Sequence, residues 1–134
     1  MTDYFNIKLG EDEIRNISSL GLAHLGDAVF ELMVRTWLCE HGKETSKGLH
    51  RAAVSRVAAP AQAKAMQRLF SILTAEETAV FKRGRNARVN SVPAHSTLEE
   101  YHEATGMEAL FGYLYLKGRT DRLNELFAAA MEVN

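Results

Sequence analysis

An all-α fold built as one domain is predicted by three features of this 134-residue sequence. Apolar residues recur at three- and four-residue spacing almost throughout, strand-like alternation is scarce, and proline occurs only at Pro60 and Pro93. A composition of 46% hydrophobic and 25% charged residues is that of an ordinary globular chain able to bury a core.

The first long helix is expected from about Ile17 to His41, stopped by Gly42, because glycine readily takes the left-handed conformation that ends a helix. A second covers about Ser46 to Ala58. Pro60 suits the first turn of a third, where its missing N–H costs nothing, and the pattern carries that helix to about Ile72. Thr74 with Glu77 forms a capping box for the next, which runs into a basic stretch. Ser96 with Glu99 offers another box and opens a helix to about Lys117, stopped by Gly118. Thr120 and Asp121 start a last amphipathic helix ending near Val133. No repeat or flexible linker interrupts this order, so the domain is taken as residues 1–134 with a core over about 17–133. Gly84 to Ser96 reads as an irregular but ordered loop.

Several function classes are set aside by what the chain lacks. Its one cysteine, Cys39, rules out an internal disulfide framework, reads as a small buried hydrophobe, and fits a reducing cytoplasm. The acidic N-terminus "MTDYFNIKLGEDEI" does not resemble a secretion signal, and no window approaches the roughly 18 apolar residues of a membrane span. His24, His41, His50, His95 and His102 show no zinc spacing, and no phosphate-binding glycine loop or serine-hydrolase motif is present. The net charge of −1 hides an uneven distribution. Lys43 to Arg88 carries +7, whereas the segments on either side carry −4 each. A basic middle between acidic ends is compatible with one face for a polyanion and another region able to hold metal.

Two carboxylates stand out. "LGLAHLGDAVFELMVRTWL", Leu20 to Leu38, reads as one apolar helix with Asp27 at its middle, and burying an ionised carboxylate costs several kcal/mol unless it is compensated. In "ATGMEALFGYLYL", Ala104 to Leu116, Glu108 has Ala104, Thr105, Phe111 and Gly112 as its helical neighbours. Carboxylates on two helices of one domain can share a hard divalent cation, since Mg²⁺ takes one or two protein carboxylates and keeps several waters. Plainer readings stand beside this one. Gly26 could break the helix and leave Asp27 as a cap, and Glu108 could pair with Arg35. His24 could orient Asp27 or merely pack between helices, and Glu31 is spaced to pair with Arg35. The cluster "KRGRNAR", Lys82 to Arg88, suits contact with phosphates, though cations also favour a solvated helix C-terminus.

Taken together, these segments resemble the ribonuclease III family. "LGDAVFEL" is similar to the signature of its nuclease domain, and "TGMEALFGYLYL" to its second carboxylate motif. The basic loop "KRGRNARVNSVPAHST" resembles that of the short bacterial form, mini-ribonuclease III, which is a nuclease domain alone. The resemblance spans about Leu20 to Leu126.

The resemblance implies a ribonuclease III-like endonuclease domain acting as a homodimer. Asp27 would be the catalytic aspartate and Glu108 the principal metal-binding glutamate, with Mg²⁺ as cofactor and Mn²⁺ able to substitute. Lys82, Arg83, Arg85, Asn86 and Arg88 are the residues expected to grip RNA. Three further family carboxylate positions hold Leu20, Ala23 and Thr105, so the site is poorer in acids than in the full-length enzymes. Their separate double-stranded-RNA-binding domain is not expected after Asn134. The implied substrate is double-stranded RNA, namely precursor large-subunit (23S) ribosomal RNA, which a ribosomal protein would present; no membrane is involved. The alternative is a non-catalytic RNA-binding component of a ribosomal particle, which the missing carboxylates would suit.

Overall fold

A computed structural model describes residues 1–41, 45–88 and 96–132. Its elements are α1 (Glu11–Arg15), α2 (Ser19–His41), α3 (Ser46–Val57), α4 (Ala59–Leu69), α5 (Ala75–Arg85), α6 (Leu98–Leu116) and α7 (Thr120–Met131), and no strand occurs among the described residues. The all-α expectation holds. Gly42, Val133 and residues 89–95 of the expected loop lie outside the described residues, and the first two residues of that loop, Gly84 and Arg85, belong instead to α5.

α6 is the axis of the molecule. From Ala104 to Leu116 nearly every residue is buried, including Met107, Leu110, Phe111 and Leu114, so this stretch is apolar on all sides because helices surround it. α2, α4, α5 and α7 all pack against it. α2 contributes Leu22, Val29, Phe30, Val34 and Leu38 to the same core, with Phe30 edge-on to Phe111 at 5.5 Å between ring centres. Most of α2's apolarity is therefore used within this chain; Leu20 and Leu32 remain exposed.

Caps set the ends. Ser18 Oγ accepts the Gly21 N–H at 2.9 Å at the start of α2. Thr74 and Glu77 form the expected box on α5. On α6 the box is Thr97 with Glu100 rather than Ser96 with Glu99, a shift of one residue that puts Glu99 on the exposed side of the first turn. Gly118 ends α6 at φ 73°, with Arg119 N–H reaching back to the Leu114 carbonyl at 2.9 Å, the bond pattern of a left-handed helix stop. The third expected helix ends at Leu69, before Ile72.

Two ties were not foreseen. The short α1 is held to α6 by Lys117, whose ammonium lies 2.6 Å from Glu11, and by the Tyr113 hydroxyl, which donates to Glu11 at 2.6 Å. Buried Glu77 accepts two bonds from Arg122, both at 2.8 Å, fastening α7 to α5, and the guanidinium holds the Glu77 carboxyl below the usual carboxylate range.

Candidate active site

The site starts from glycines. Gly26 on α2 and Gly112 on α6 face one another where the helices cross: a Cβ built on Gly26 would lie 1.6 Å from the Glu108 carbonyl oxygen, and one on Gly112 would lie 2.1 Å from the Leu22 carbonyl. Only hydrogen on both sides permits this approach. Gly26 is therefore a crossing residue inside a continuous helix, and the reading of Asp27 as a cap after a break at Gly26 is overturned.

The crossing brings Asp27 and Glu108 together. Glu108 is half-buried, and its carboxyl is pushed up from the ordinary 4.5 to about 8, first by burial and then by the charge and hydrogen bonding of Asp27 beside it. Asp27 itself is exposed, which corrects the expectation that it pays for deep burial; the buried residue next to it is Gly26. The reading of Glu108 as Arg35's partner also fails, since Arg35 pairs with Glu31 at 3.4 Å along the surface of α2. His24 is exposed and makes no hydrogen bond to Asp27 among the described residues. Cys39, expected inside, is exposed as well, because the outer face of α2 carries it past the core.

The two carboxylates border a recess of about 390 Å³ whose other walls include Val57, Pro60, Gln62 and Tyr101. Val57 and Pro60 come from the corner between α3 and α4, and Gln62 from the first turn of α4. Gln62 is 1% exposed; its Nε2 donates to the Val57 carbonyl at 3.0 Å, and its Oε1 has no partner. Two facing carboxylates are donors suited to a hard divalent cation and its waters. Among the described residues no third His, Cys, Asp or Glu joins them. Ala23 is in the core, and the Thr105 hydroxyl is spent on the Tyr101 carbonyl at 2.9 Å, so neither supplies a further ligand.

The raised Glu108 pKa has a consequence for stability. Folded protein holds a proton that the unfolded chain releases above about 4.5, so unfolding free energy falls as pH rises from about 4.5 to about 8. In chelator, melting temperatures across that range are expected to decline, and Glu108→Gln to flatten the decline. An unchanged slope in the variant would assign the trend to another group.

The basic cluster ends α5. Gly84 packs against α6, where a Cβ would lie 2.7 Å from the Ala109 Cβ and 3.1 Å from the Gly106 Cα, and none of Lys82, Arg83, Arg85, Asn86 and Arg88 lines the recess of Asp27 and Glu108. Lys82, Arg83, Asn86 and Arg88 are exposed. Arg85 is half-buried, its guanidinium 5.6 Å from the centre of the Phe81 ring and its Nε donating to Asn86 Oδ1 at 3.3 Å. Gln62 was not expected from the sequence. The signal available was its phase, since Gln62, Met66 and Leu69 follow at four and three residues along the buried face of α4.

The chain is similar to known proteins in both sequence and fold. The sequence pattern described as the Ribonuclease III domain matches residues 20–119. The chain is 37% identical over 125 residues to the Mini-ribonuclease 3 of a Thermoanaerobacter species, covering 93% of this chain and 88% of that one. It is 45% identical over 113 residues to the Mini-ribonuclease 3 of Symbiobacterium thermophilum, covering 84% and 87%. A crystal structure of a Fusobacterium nucleatum protein superposes with a TM-score of 0.82 at 28% identity, covering 90% of this chain and 96% of that one.

Proposed function

Because the chain belongs to the ribonuclease III family and is an endoribonuclease of that family, we propose that it cleaves double-stranded RNA using a divalent cation held by Asp27 and Glu108. Mg²⁺ is the proposed ion, with Mn²⁺ able to substitute. The observation that carries the reading is the facing of two carboxylates at a helix crossing, one of them pushed up to about 8 by its burial and then by its neighbour. A bound divalent cation lowers the pKa of a coordinated water and offsets charge that develops on the attacked phosphate. Asp27 and Glu108 would supply the anionic oxygens that hold it, with Glu108 in its deprotonated form. Val57 and Pro60 wall the recess beside Glu108, and Asp27, being exposed, is open to an approaching duplex.

Grip on the duplex falls to Lys82, Arg83, Arg85, Asn86 and Arg88. A-form RNA is recognised largely by shape and backbone contact, and a cluster of cations at the end of α5 suits that task. Arg83→Ala with Arg85→Ala is expected to weaken duplex binding and to lower the slope of log affinity against log salt by about 2, one for each cation withdrawn from the phosphates. Binding isotherms at several salt concentrations read this, and an unchanged slope rules out the end of α5 as a phosphate-binding turn.

The catalytic domain is taken as 1–134, working as a homodimer in which each protomer cuts one strand and leaves 5′ phosphates. Exposed Leu20, two turns before Asp27 on the same face of α2, favours a second copy there; sedimentation of monomers only at micromolar concentration would sink the dimer. Precursor large-subunit ribosomal RNA in the cytoplasm is the proposed substrate, presented by a ribosomal protein. The deciding assay is incubation with a long RNA duplex with and without Mg²⁺. Metal-dependent cutting is expected, whereas a stable shift without cutting would instead identify a non-catalytic RNA binder.

A further inference from the structure

The buried polar side chains among the described residues are Gln62, Glu77 and Thr105. Glu77 is saturated by Arg122 and Thr74, and Thr105 by the Tyr101 carbonyl. Gln62 differs. Its Nε2 is anchored on Val57 at 3.0 Å and the carboxamide also acts on the Glu108 carboxylate, yet its Oε1 is buried with no partner.

An unpaired buried amide oxygen costs stability, and a leucine or methionine would fill the same volume without that cost. Gln62 occupies the phase of Met66 and Leu69, where the rest of the face is apolar. Its placement is not incidental to the recess, because it borders that space together with Asp27 and Glu108, and its anchor, Val57, is another of the walls. An amide oxygen is a hard neutral donor of the kind that binds a divalent cation directly or through one of its waters. Partners that orient ligating carboxylates act in the same way as those that orient ligating imidazoles.

We propose that Gln62 is the third polar member of the metal site, a positioning residue that holds Glu108 through its carboxamide and offers its Oε1 to the cation or its water shell. This rests on the reading of Asp27 and Glu108 as metal-holding residues. The α3–α4 corner then has two tasks: the Val57 carbonyl fixes the amide, and the fixed amide fixes the carboxylate across the recess.

The test is direct titration of chelator-treated, RNA-free protein with Mn²⁺, following free ion by electron paramagnetic resonance, with thermal melting alongside. Gln62→Met removes both amide functions. Gln62→Glu keeps an oxygen but gives up the N–H bonded to Val57. Gln62→Met is expected to weaken Mn²⁺ binding by about 10- to 100-fold, and Gln62→Glu, which keeps an oxygen but neither the bond to Val57 nor the N–H toward Glu108, to recover part of that loss; both melt earlier. If Gln62→Met melts earlier but binds Mn²⁺ as the parent does, while Glu108→Gln loses binding, Gln62 only braces the corner and the proposal is overturned with the metal site intact. Gln62→Glu binding no better than Gln62→Met overturns it as well. Should Gln62→Met not fold, Gln62→Leu takes its place: weaker Mn²⁺ binding than the parent supports the proposal, and binding equal to the parent overturns it. Parent protein and Glu108→Gln binding Mn²⁺ equally would remove the metal reading itself, and Gln62's role with it.

Discussion

Gly26→Ala is expected to destabilise the protein by at least the upper end of the roughly 1–3 kcal/mol usual for an overpacked core. The added methyl would stand 1.6 Å from the Glu108 carbonyl oxygen and 2.7 Å from the Gly112 nitrogen. Both are backbone atoms within α6, so no rotamer change relieves the clash, and α2 has to move away along an interface that includes Phe30 against Phe111. For a chain of this size the loss corresponds to a fall of about 10 °C in melting midpoint. Gly21→Ala is the matched control. There a Cβ meets only the Ile17 and Ser18 side chains, at 3.1 and 3.2 Å, and alanine gains up to about 1 kcal/mol of helix propensity over glycine. Equal melting of the two variants would mean that the crossing is looser than its geometry implies. Cleavage should fall together with melting in Gly26→Ala, because moving α2 away from α6 moves Asp27 away from Glu108.

That dependence explains what could be read from the sequence and what could not. Helix positions were legible wherever apolar periodicity ran for three turns or more, because burial of a stripe and the position of a stop are local properties, as Gly118 shows. α1 was not legible: five residues cannot hold a helix alone, and its order comes from Lys117 and Tyr113, a hundred residues away. The Thr97 box differs from the expected Ser96 box by one residue because both sequences satisfy the same rule. At the site, Asp27 stood out for the cost of burying it, yet the aspartate is exposed. The informative residue was its neighbour. A glycine in the middle of a long helix is tolerated where another backbone approaches closely, and Gly26 and Gly112 together set the distance between the two carboxylates. Gln62 was hidden for a different reason: in "APAQAKAM" a glutamine looks like an ordinary solvated side chain, and its phase with Met66 and Leu69 was the one hint that it lies on the buried face of α4.

Asp27→Asn is expected to lower the single-turnover rate on duplex RNA by more than the ~10–100-fold typical of losing a supporting partner, since here a charged ligand is removed with almost no change of shape. The fold should survive, because Asp27 is exposed and a substitution of that kind moves stability by about 0.5 kcal/mol or less. Duplex binding should survive too, since it is assigned to the end of α5 and not to the carboxylates. Retained turnover would remove Asp27 from the mechanism. A second readout separates the site from a merely local effect. Asp27 supplies part of what holds Glu108 near 8, so its loss should bring the Glu108 carboxyl down toward the ordinary range and shrink the decline of stability between about pH 4.5 and 8 in chelator. Glu108→Gln should match Asp27→Asn in lost cleavage while abolishing that decline. The double variant then decides whether the two carboxylates act as one unit. Groups that hold a single cation fail together, so the pair should lose no more than either alone, whereas losses that multiply would mean that Asp27 and Glu108 act in separate steps.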